Sequence, residues 1–354
     1  MKKSLLALAV LGAFAGVASA QSSVTLYGRV DLSAAKGAGV EQVSLVNGSG
    51  SRFGVRGVED LGGGLQALFN IEHRFNADTG AQSNSARFWT GRSIVGLQGG
   101  FGQIVFGREY TPAFLQSQLV ADPWGWDTVV SGSIVPGSGG NQSITGGGIG
   151  IALPGGAVAN APLLEAGLAN VRNDSSITYK ITLGGFTFGA QVAEGTDFPG
   201  LGTVNLPNNP YSMALSYAAG PITAGLAYEK NGNEAAAEAE WLTANFAWNF
   251  GLFKIGAFYG TGQGIFNNDR ESFLVTATAP LGAGEFRASY GELDDSVLGK
   301  MNKVAALGYH YSLSKRTTIY ADFIYEDGRV VDLLQSVGGD GSKEGYDFGI
   351  KHNF

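Results

Sequence analysis

The segment EGYDFGIKHNF, residues 344 to 354, alternates between two kinds of side chain. Tyr346 and Phe348 fall on one side of an extended chain, and Asp347 and Lys351 fall on the other. Such alternation predicts a strand with one apolar and one polar face. Soluble domains more often finish in a frayed polar tail. We therefore expect this segment to be paired within a sheet to its last residue.

The same period of two recurs along most of the chain. Most segments run for about ten residues, the length that a tilted strand needs to cross a bilayer. Tight glycine-rich turns alternate with longer polar loops, an asymmetry typical of outer-membrane barrels. The pattern predicts an all-β protein, a transmembrane 16-stranded antiparallel up-and-down β-barrel with long external loops. The sixteen predicted strands begin near residues 23, 50, 65, 91, 101, 175, 185, 210, 221, 240, 251, 271, 284, 302, 316 and 345.

A sheet in hydrocarbon has to close, because every backbone donor and acceptor there must be paired. The last strand is therefore expected to pair with the first. The alternative is a secreted β-sandwich or a soluble repeat protein, which would bury the apolar face against a second sheet. The length and number of the strands disfavour that alternative.

Residues 1–20 have the features of a secretory signal peptide. A basic head precedes the apolar run from Leu5 to Val17, and Ala18-Ser19-Ala20 is a small-x-small cleavage signal. A buried N-terminal helix is the alternative. Cleavage would leave residues 21–354 as a single barrel domain, exported to the outer membrane of a Gram-negative cell.

The charge and composition of the mature chain exclude several classes of protein. Without Lys2 and Lys3, 21 basic and 30 acidic residues leave a net charge of −9, which argues against nucleic acid as a partner. The absence of cysteine excludes a disulfide framework and zinc sites built on thiolates. His73, His310 and His352 are in phase with apolar neighbours and are expected on the outer face. We therefore predict no enzyme, no catalytic residue, no cofactor and no metal.

The polar face of several strands carries arginine. Arg52 and Arg56 flank Gly54 in the polar phase of one strand, and Arg92 and Arg172 take that phase in others. In a barrel these side chains enter a water-filled lumen. Because arginine keeps its charge at working pH, a ring of arginines favours anions. The alternative is that these arginines are solvated, paired within the lumen and without effect on transport.

Four stretches resemble the general diffusion porins of Gram-negative outer membranes, most closely the beta-proteobacterial branch. They are SSVTLYGRVDLS near the start, VGLQGGFGQIVFGREYTP (95–112), YSLSKRTTIYADF (311–323) and FGIKHNF at the end. The resemblance implies a 16-stranded homotrimer whose third external loop folds into the pore. It also implies that Phe354 belongs to a signal read by the barrel assembly machinery.

The resemblance further implies which residues form the pore constriction. Arg52, Arg92 and Arg172 match an arginine cluster on the wall that faces the loop, with Arg87 as the substitute if the fourth strand carries a bulge. Glu72 matches a wall carboxylate beside them. The constriction loop is expected at about residues 111–170, bending inward early. The carboxylates expected to oppose the arginines are Asp122 and Asp127.

These features predict a channel for the passive diffusion of small hydrophilic solutes and ions, anion-preferring despite the acidic total. Local charges should dominate because fields are screened beyond about 8 Å at physiological salt. Alternatives are a dedicated anion or organic-acid channel, an adhesin or a barrel enzyme. Expected partners are outer-membrane lipid and lipopolysaccharide, and further copies of the chain at Gly28, Ala34 and Gly57.

The strand phase of one residue is unexplained. Arg108 is in phase with Phe106, which is expected to face lipid. Either the strand ends before Arg108, a bulge reverses the alternation, or the side chain extends to the membrane interface.

Overall fold

The computed structural model describes residues 23–131, 171–194, 209–233, 237–263, 268–297, 299–328 and 341–354. Antiparallel pairing joins its seventeen strands into one closed sheet. The predicted signal peptide and residues 132–170 of the predicted constriction loop lie outside the described residues. The strands are β1 Ser23–Lys36, β2 Ser44–Asn47, β3 Arg52–Gly62, β4 Leu65–Arg74, β5 Ser93–Gly99, β6 Gly102–Tyr110, β7 Arg172–Leu183, β8 Phe186–Ala193, β9 Tyr211–Ala219, β10 Ile222–Asn233, β11 Ala237–Asn249, β12 Lys254–Gln263, β13 Asp269–Leu281, β14 Gly284–Asp295, β15 Gly299–Ser312, β16 Thr317–Asp327 and β17 Glu344–Asn353.

The seventeen strands form sixteen barrel positions, because β2 and β3 share one neighbour. β2 pairs with residues 32–35 of β1, and β3 pairs with residues 23–29 of the same strand. They are two halves of one spanning strand, interrupted at residues 48–51. The predicted 16-stranded antiparallel up-and-down barrel is confirmed.

The barrel closes through β1 and β17, as the opening segment predicted. The pairing runs from Lys36 opposite Tyr346 to Arg29 opposite Asn353. Beyond it, the backbones of Gly28 and Phe354 exchange two hydrogen bonds of 3.0 and 3.1 Å. A Cβ at Gly28 would lie 2.2 Å from Cζ of Phe354, so only glycine lets that ring lie over the first strand.

The outer face of the barrel carries the apolar phase of the strands. In β17, Phe348 is 63% exposed, whereas its neighbour Asp347 is 2% exposed. The same contrast separates Phe273 and Val275 from Ser272 in β13. A band of exposed apolar side chains on a closed sheet is what a lipid-facing surface requires.

Tight turns join successive strands at the end of the barrel where β1 begins. In the turn after β7, Gly184 and Gly185 have φ angles of 56° and 87°. Positive φ at both central residues matches the right-handed twist of the flanking strands and favours glycine. The opposite end carries the longer connections, including residues 75–92 and 111–171.

The third long connection begins inside the barrel, and we call its described start, residues 111–131, the inward connection. It forms a π-helical turn α1 (Phe114–Gln118), then α2 (Leu119–Ala121) and α3 (Thr128–Ser131). Among the described residues, no helix is long and apolar enough to cross a membrane. The connection packs on inward-facing apolar residues of the strands after β11, a departure from the expected polar inner face. This inner cluster comprises Trp124, Val129 and Val130 of the connection with Phe258, Leu274, Leu293, Met301, Val304 and Ile324 of the wall.

The structure resolves the orientation of two side chains that strand alternation did not predict correctly or left open. The predicted outward position is wrong for His310, which is buried with its Nε2 3.1 Å from both carboxylate oxygens of Asp322. Arg108 lies within β6, and the irregular register belongs to β7, where Ser175 has a φ of 46°. The extra residue brings Asp174 to 2.6 Å from Arg108, so an ion pair satisfies that guanidinium.

Candidate pore constriction

Three arginines lie side by side on the first strands of the barrel. Arg29 of β1 is directly opposite Arg52 of β3, and Arg52 is directly opposite Arg74 of β4. Like charges directly opposite one another destabilise a sheet. The row therefore works against the stability of the barrel, which is a mark of a functional site.

The row borders a cavity of about 800 Å³ between the wall and the inward connection. We call Arg29, Arg52, Arg74 and Arg172 the arginine wall. All four line the cavity, and its described lining holds two carboxylates, Asp78 and Asp127. Trp126 of the connection also lines it. Positive charge thus exceeds negative charge on the described lining of this cavity, which we call the passage.

The four guanidinium groups differ in how far carboxylates compensate them. Arg74 contacts Glu72 at 3.0 Å, and Arg29 contacts Asp127 at 3.2 Å. Within the part of the chain that the structure describes, Arg52 and Arg172 form no ion pair with a carboxylate. Arg52 donates from Nε to the Gly50 carbonyl at 2.8 Å, which holds the side chain without cancelling its charge.

The other predicted arginines lie in different surroundings. Arg92 does not line the cavity and binds Glu109 through Nε and Nη2, one edge of its guanidinium, with Nε 2.9 Å from Oε1. Such a bidentate pair cancels most of the charge locally. Arg56 is exposed in the phase of Arg52, over the ring of Tyr27 at 5.1 Å. Arg87 is exposed and pairs with Asp174, away from the cavity.

The predicted carboxylates also lie in different surroundings. Glu72 is 4% exposed and holds Arg74 from behind, while Asp127 lines the cavity. Asp122 is buried and accepts hydrogen bonds from the backbone of Trp124 and Trp126, each at 3.1 Å. It stabilises the turn of the connection and contributes no surface to the cavity.

Buried carboxylates on the strands next to the arginines fix the connection to the barrel wall. We call Asp31, Asp322 and Asp347 the anchor wall; they lie on β1, β16 and β17. The indole N–H of Trp124 donates to Asp322 at 2.8 Å, and the backbone N–H of Val129 donates to Asp347 at 3.0 Å. These contacts seat the connection across the lumen.

Two further hydrogen bonds stabilise this region, one within the anchor wall and one between the wall and the connection. Tyr320 donates to Asp31 at 2.6 Å from within the anchor wall. The backbone N–H of Thr128 donates to the Gly48 carbonyl at 2.8 Å, in the interruption between β2 and β3. The broken strand thus provides an acceptor that an intact ladder would have used.

Most residues that line the cavity were not among the predicted site residues, and three of them hold or carry its charge: Arg29, Arg74 and Tyr110. Arg29 and Arg74 are both in the polar phase, and the register of β1, β3 and β4 would have placed them beside Arg52. Tyr110 is in phase with lipid-facing Phe106, so strand alternation gave no signal for it. In the described part of the chain, no three His, Asp or Glu side chains are grouped to hold a metal ion.

Comparison with known proteins identifies the family. The Gram-negative porin family matches residues 7–330. Outer membrane porin protein 32 of Delftia acidovorans is 32% identical over the full length of both chains. The structure of an anion-selective porin from Comamonas acidovorans superimposes with a TM-score of 0.71 at 28% identity, over 94% of this chain and all of that one.

A trimer form of OmpT, an outer membrane protein of Vibrio cholerae, has the same fold with a TM-score of 0.60 at 15% identity, over 94% of this chain and 99% of that one. The closed antiparallel sheet, the inward connection and the family match agree. The chain belongs to the Gram-negative porin family and forms a channel of the outer membrane.

Proposed function

We propose that this porin is an anion-preferring diffusion channel and that the arginine wall sets its preference. The observation that carries the proposal is that Arg52 and Arg172 border the passage without a carboxylate partner among the described residues. A ring of fixed positive charge in a narrow passage raises the local concentration of anions and repels cations.

The acidic total of the chain does not oppose this proposal. Exposed charges further away than about 8 Å are largely screened at physiological salt. Five carboxylates cluster at the outer ends of strands β11 to β14, around a separate cavity on another part of the barrel. The anion-selective porin of Comamonas acidovorans has the most similar of the folds compared above, and its selectivity supports the same preference here.

Reversal potentials in planar bilayers test the proposal. The purified protein is inserted between two KCl solutions of unequal concentration at neutral pH. We expect the sign of the zero-current potential to report chloride as the more permeant ion. A potential of the opposite sign would refute the assignment of the arginine wall as the selectivity element.

A dedicated channel for phosphate or small organic acids is a second candidate. It is favoured by the Nε of Arg172, which is buried without an acceptor among the described residues, and by Arg52, whose one hydrogen bond within the described part of the chain leaves donors for a ligand. Arginine forks match phosphate and carboxylate oxygens in pairs. Inorganic phosphate that lowers chloride conductance at concentrations well below that of chloride would favour this candidate.

The assembly we propose is a homotrimer, supported by the trimer form of OmpT. Gly28 and Gly57 are less available for contact between subunits than expected, because the rings of Phe354 and Phe69 cover them. The exposed side chains of Val24 and Leu26 remain as apolar contact surface on β1. Unheated detergent samples should migrate as trimers in gels, and only monomer-sized bands would contradict this.

Three further parts of the proposal concern export and the membrane. Residues 1–20 act as a cleaved signal peptide, and Phe354 contributes to the signal read by the barrel assembly machinery. The lipid-facing band binds outer-membrane lipid and lipopolysaccharide. N-terminal sequencing of the exported protein tests the first part, with Gln21 expected as the first residue.

A further inference from the structure

Tyr110 connects two members of the arginine wall. It is the last residue of β6 and lies directly opposite Arg172 of β7. Its phenolic oxygen accepts a hydrogen bond from Nη2 of Arg74 at 2.8 Å and another from Nη2 of Arg172. One neutral oxygen thus holds two guanidinium groups from different strands, β4 and β7.

The ring of Tyr110 is fixed between two flat groups. The guanidinium carbon of Arg172 lies 3.9 Å from the ring centroid, within the range of a cation–π interaction. The ring of Phe114, the first residue of α1, stacks on Tyr110 with centroids 5.4 Å apart and planes 11° apart. The inward connection therefore sets the position of the phenol, and the phenol sets the position of Arg172.

A nearby arginine shows what a different acceptor would do. Arg92 is held by Glu109, and the carboxylate that positions it also neutralises it. Tyr110 performs the positioning of Arg172 with an acceptor that carries no formal charge at neutral pH. Two arginines whose acceptors, Glu109 and Tyr110, are adjacent residues of β6 thus differ in how far their charge is neutralised.

We propose that Tyr110 is a positioning residue for ion selectivity: it orders Arg172 beside Arg74 against their mutual repulsion, and because its oxygen is neutral, the positive charge of Arg172 stays available to the passage. This inference rests on the proposed anion preference. It assigns the selectivity to arginines held by neutral acceptors, so the identity of the acceptor matters as much as the number of arginines.

The test compares two variants at one position. Y110F keeps the ring and the stacking but removes the oxygen, so Arg74 and Arg172 lose their shared acceptor and spread apart. Y110E retains an acceptor and adds a negative charge beside both arginines. We expect the ratio of anion to cation permeability to fall by at least about twofold in Y110F. It should fall further in Y110E, because the carboxylate neutralises positive charge of the neighbouring arginines.

Y179F is the matched control. The hydroxyl of Tyr179 also forms a hydrogen bond, donating to the Phe101 carbonyl at 2.7 Å, but at the short-turn end and away from the cavity. Its reversal potential should equal that of the wild type. Heat-induced gel shifts of all three variants report barrel stability, which a purely structural role of Tyr110 would change without changing selectivity.

The outcomes separate the two proposals. If the wild type is not anion-selective, the proposed function fails. If the wild type is anion-selective and Y110F keeps the same reversal potential, the role of Tyr110 is overturned while the proposed function stands. A selectivity loss in Y110F with unchanged heat stability supports the positioning role.

Discussion

The arginine wall and the anchor wall are neighbours in the barrel that share β1, where Arg29 and Asp31 lie two residues apart, and they treat their charges in opposite ways. On the anchor wall, Asp322 and Asp347 are buried and accept hydrogen bonds from the inward connection. On the arginine wall, Arg52 and Arg172 are held by a carbonyl and a phenol and border open space. The carboxylates hold structure together, and the arginines keep their charge for the passage.

This difference shows why the net charge of a pore protein says little about its selectivity. Asp322 and Asp347 accept hydrogen bonds from a protein segment, whereas Arg52 and Arg172 have no carboxylate partner among the described residues. What a permeating ion meets is the charge that remains after local pairing. Either wall can be altered by mutation, by releasing the connection from its carboxylates or by changing the charged partners of the arginines.

The largest effect is expected from D322A. The substitution removes the acceptor of the Trp124 indole and the partner of His310, and buried hydrogen bonds to charged groups are each worth about 1.5–3 kcal/mol. The inward connection should lose its seat, so single-channel recordings should show larger conductance and more open-channel noise. W124F, which removes the indole donor but keeps an aromatic ring and leaves Asp322 in place, should show a smaller change of the same kind.

D294A is the control for the anchor experiment. Asp294 is an exposed carboxylate at the outer end of β14, where it contacts Lys300 at 3.5 Å. Its removal should leave conductance and noise unchanged. Recordings of D322A that cannot be distinguished from those of D294A would show that the anchor wall does not hold the connection.

A smaller effect is expected from G225A on the far side of the connection. A Cβ on Gly225 of β10 would lie 2.5 Å from the backbone oxygen of Gln116 in α1. Overpacking of this kind costs typically about 1–3 kcal/mol, and here it should push α1 toward the passage. Single-channel conductance should decrease. A224V on the outer face of the same strand should leave it unchanged, and equal conductance in both variants would refute close packing of α1 on β10.

The smallest effect concerns Asp127, the carboxylate opposite the arginine row. Burial raises the pKa of this carboxyl above its ordinary value, although Arg29 opposes the shift. Protonation removes negative charge from the cavity, so the anion preference should increase as pH falls, starting at a higher pH than for an exposed aspartate. D127N should have the stronger preference already at neutral pH and a flatter profile. A profile identical to that of the wild type would exclude Asp127 as the titrating group.

The sequence predicted the barrel well, because strand alternation is a local property. Phe348 and Asp347 take opposite faces as their spacing required. It was harder to predict which arginines are neutralised by a carboxylate, since that depends on partners across strands. Yet the turn that pairs Gly99 with Gly102 continues in register to Arg92 and Glu109, so that pair was available from turn geometry alone.

Other features depend on tertiary contacts that no local pattern encodes. Leu274 and Ile324 are inward, apolar and fully buried, because the connection packs on them. A simple barrel pattern expects polar side chains there. Tyr110 enters the cavity although its strand phase points outward, since its partners Arg172 and Phe114 hold it there. Interrupted alternation of this kind indicates where a segment folds into a lumen.

The central claim is that uncompensated arginines, and not arginines in general, select the ion. The most direct measurement compares the reversal potential of R52S/R172S with that of R92S/E109Q in the same KCl gradient, because R92S/E109Q removes both charges of a compensated pair. We predict that R52S/R172S loses the chloride preference while R92S/E109Q keeps most of it. A loss of the preference in R92S/E109Q as full as in R52S/R172S would contradict this claim.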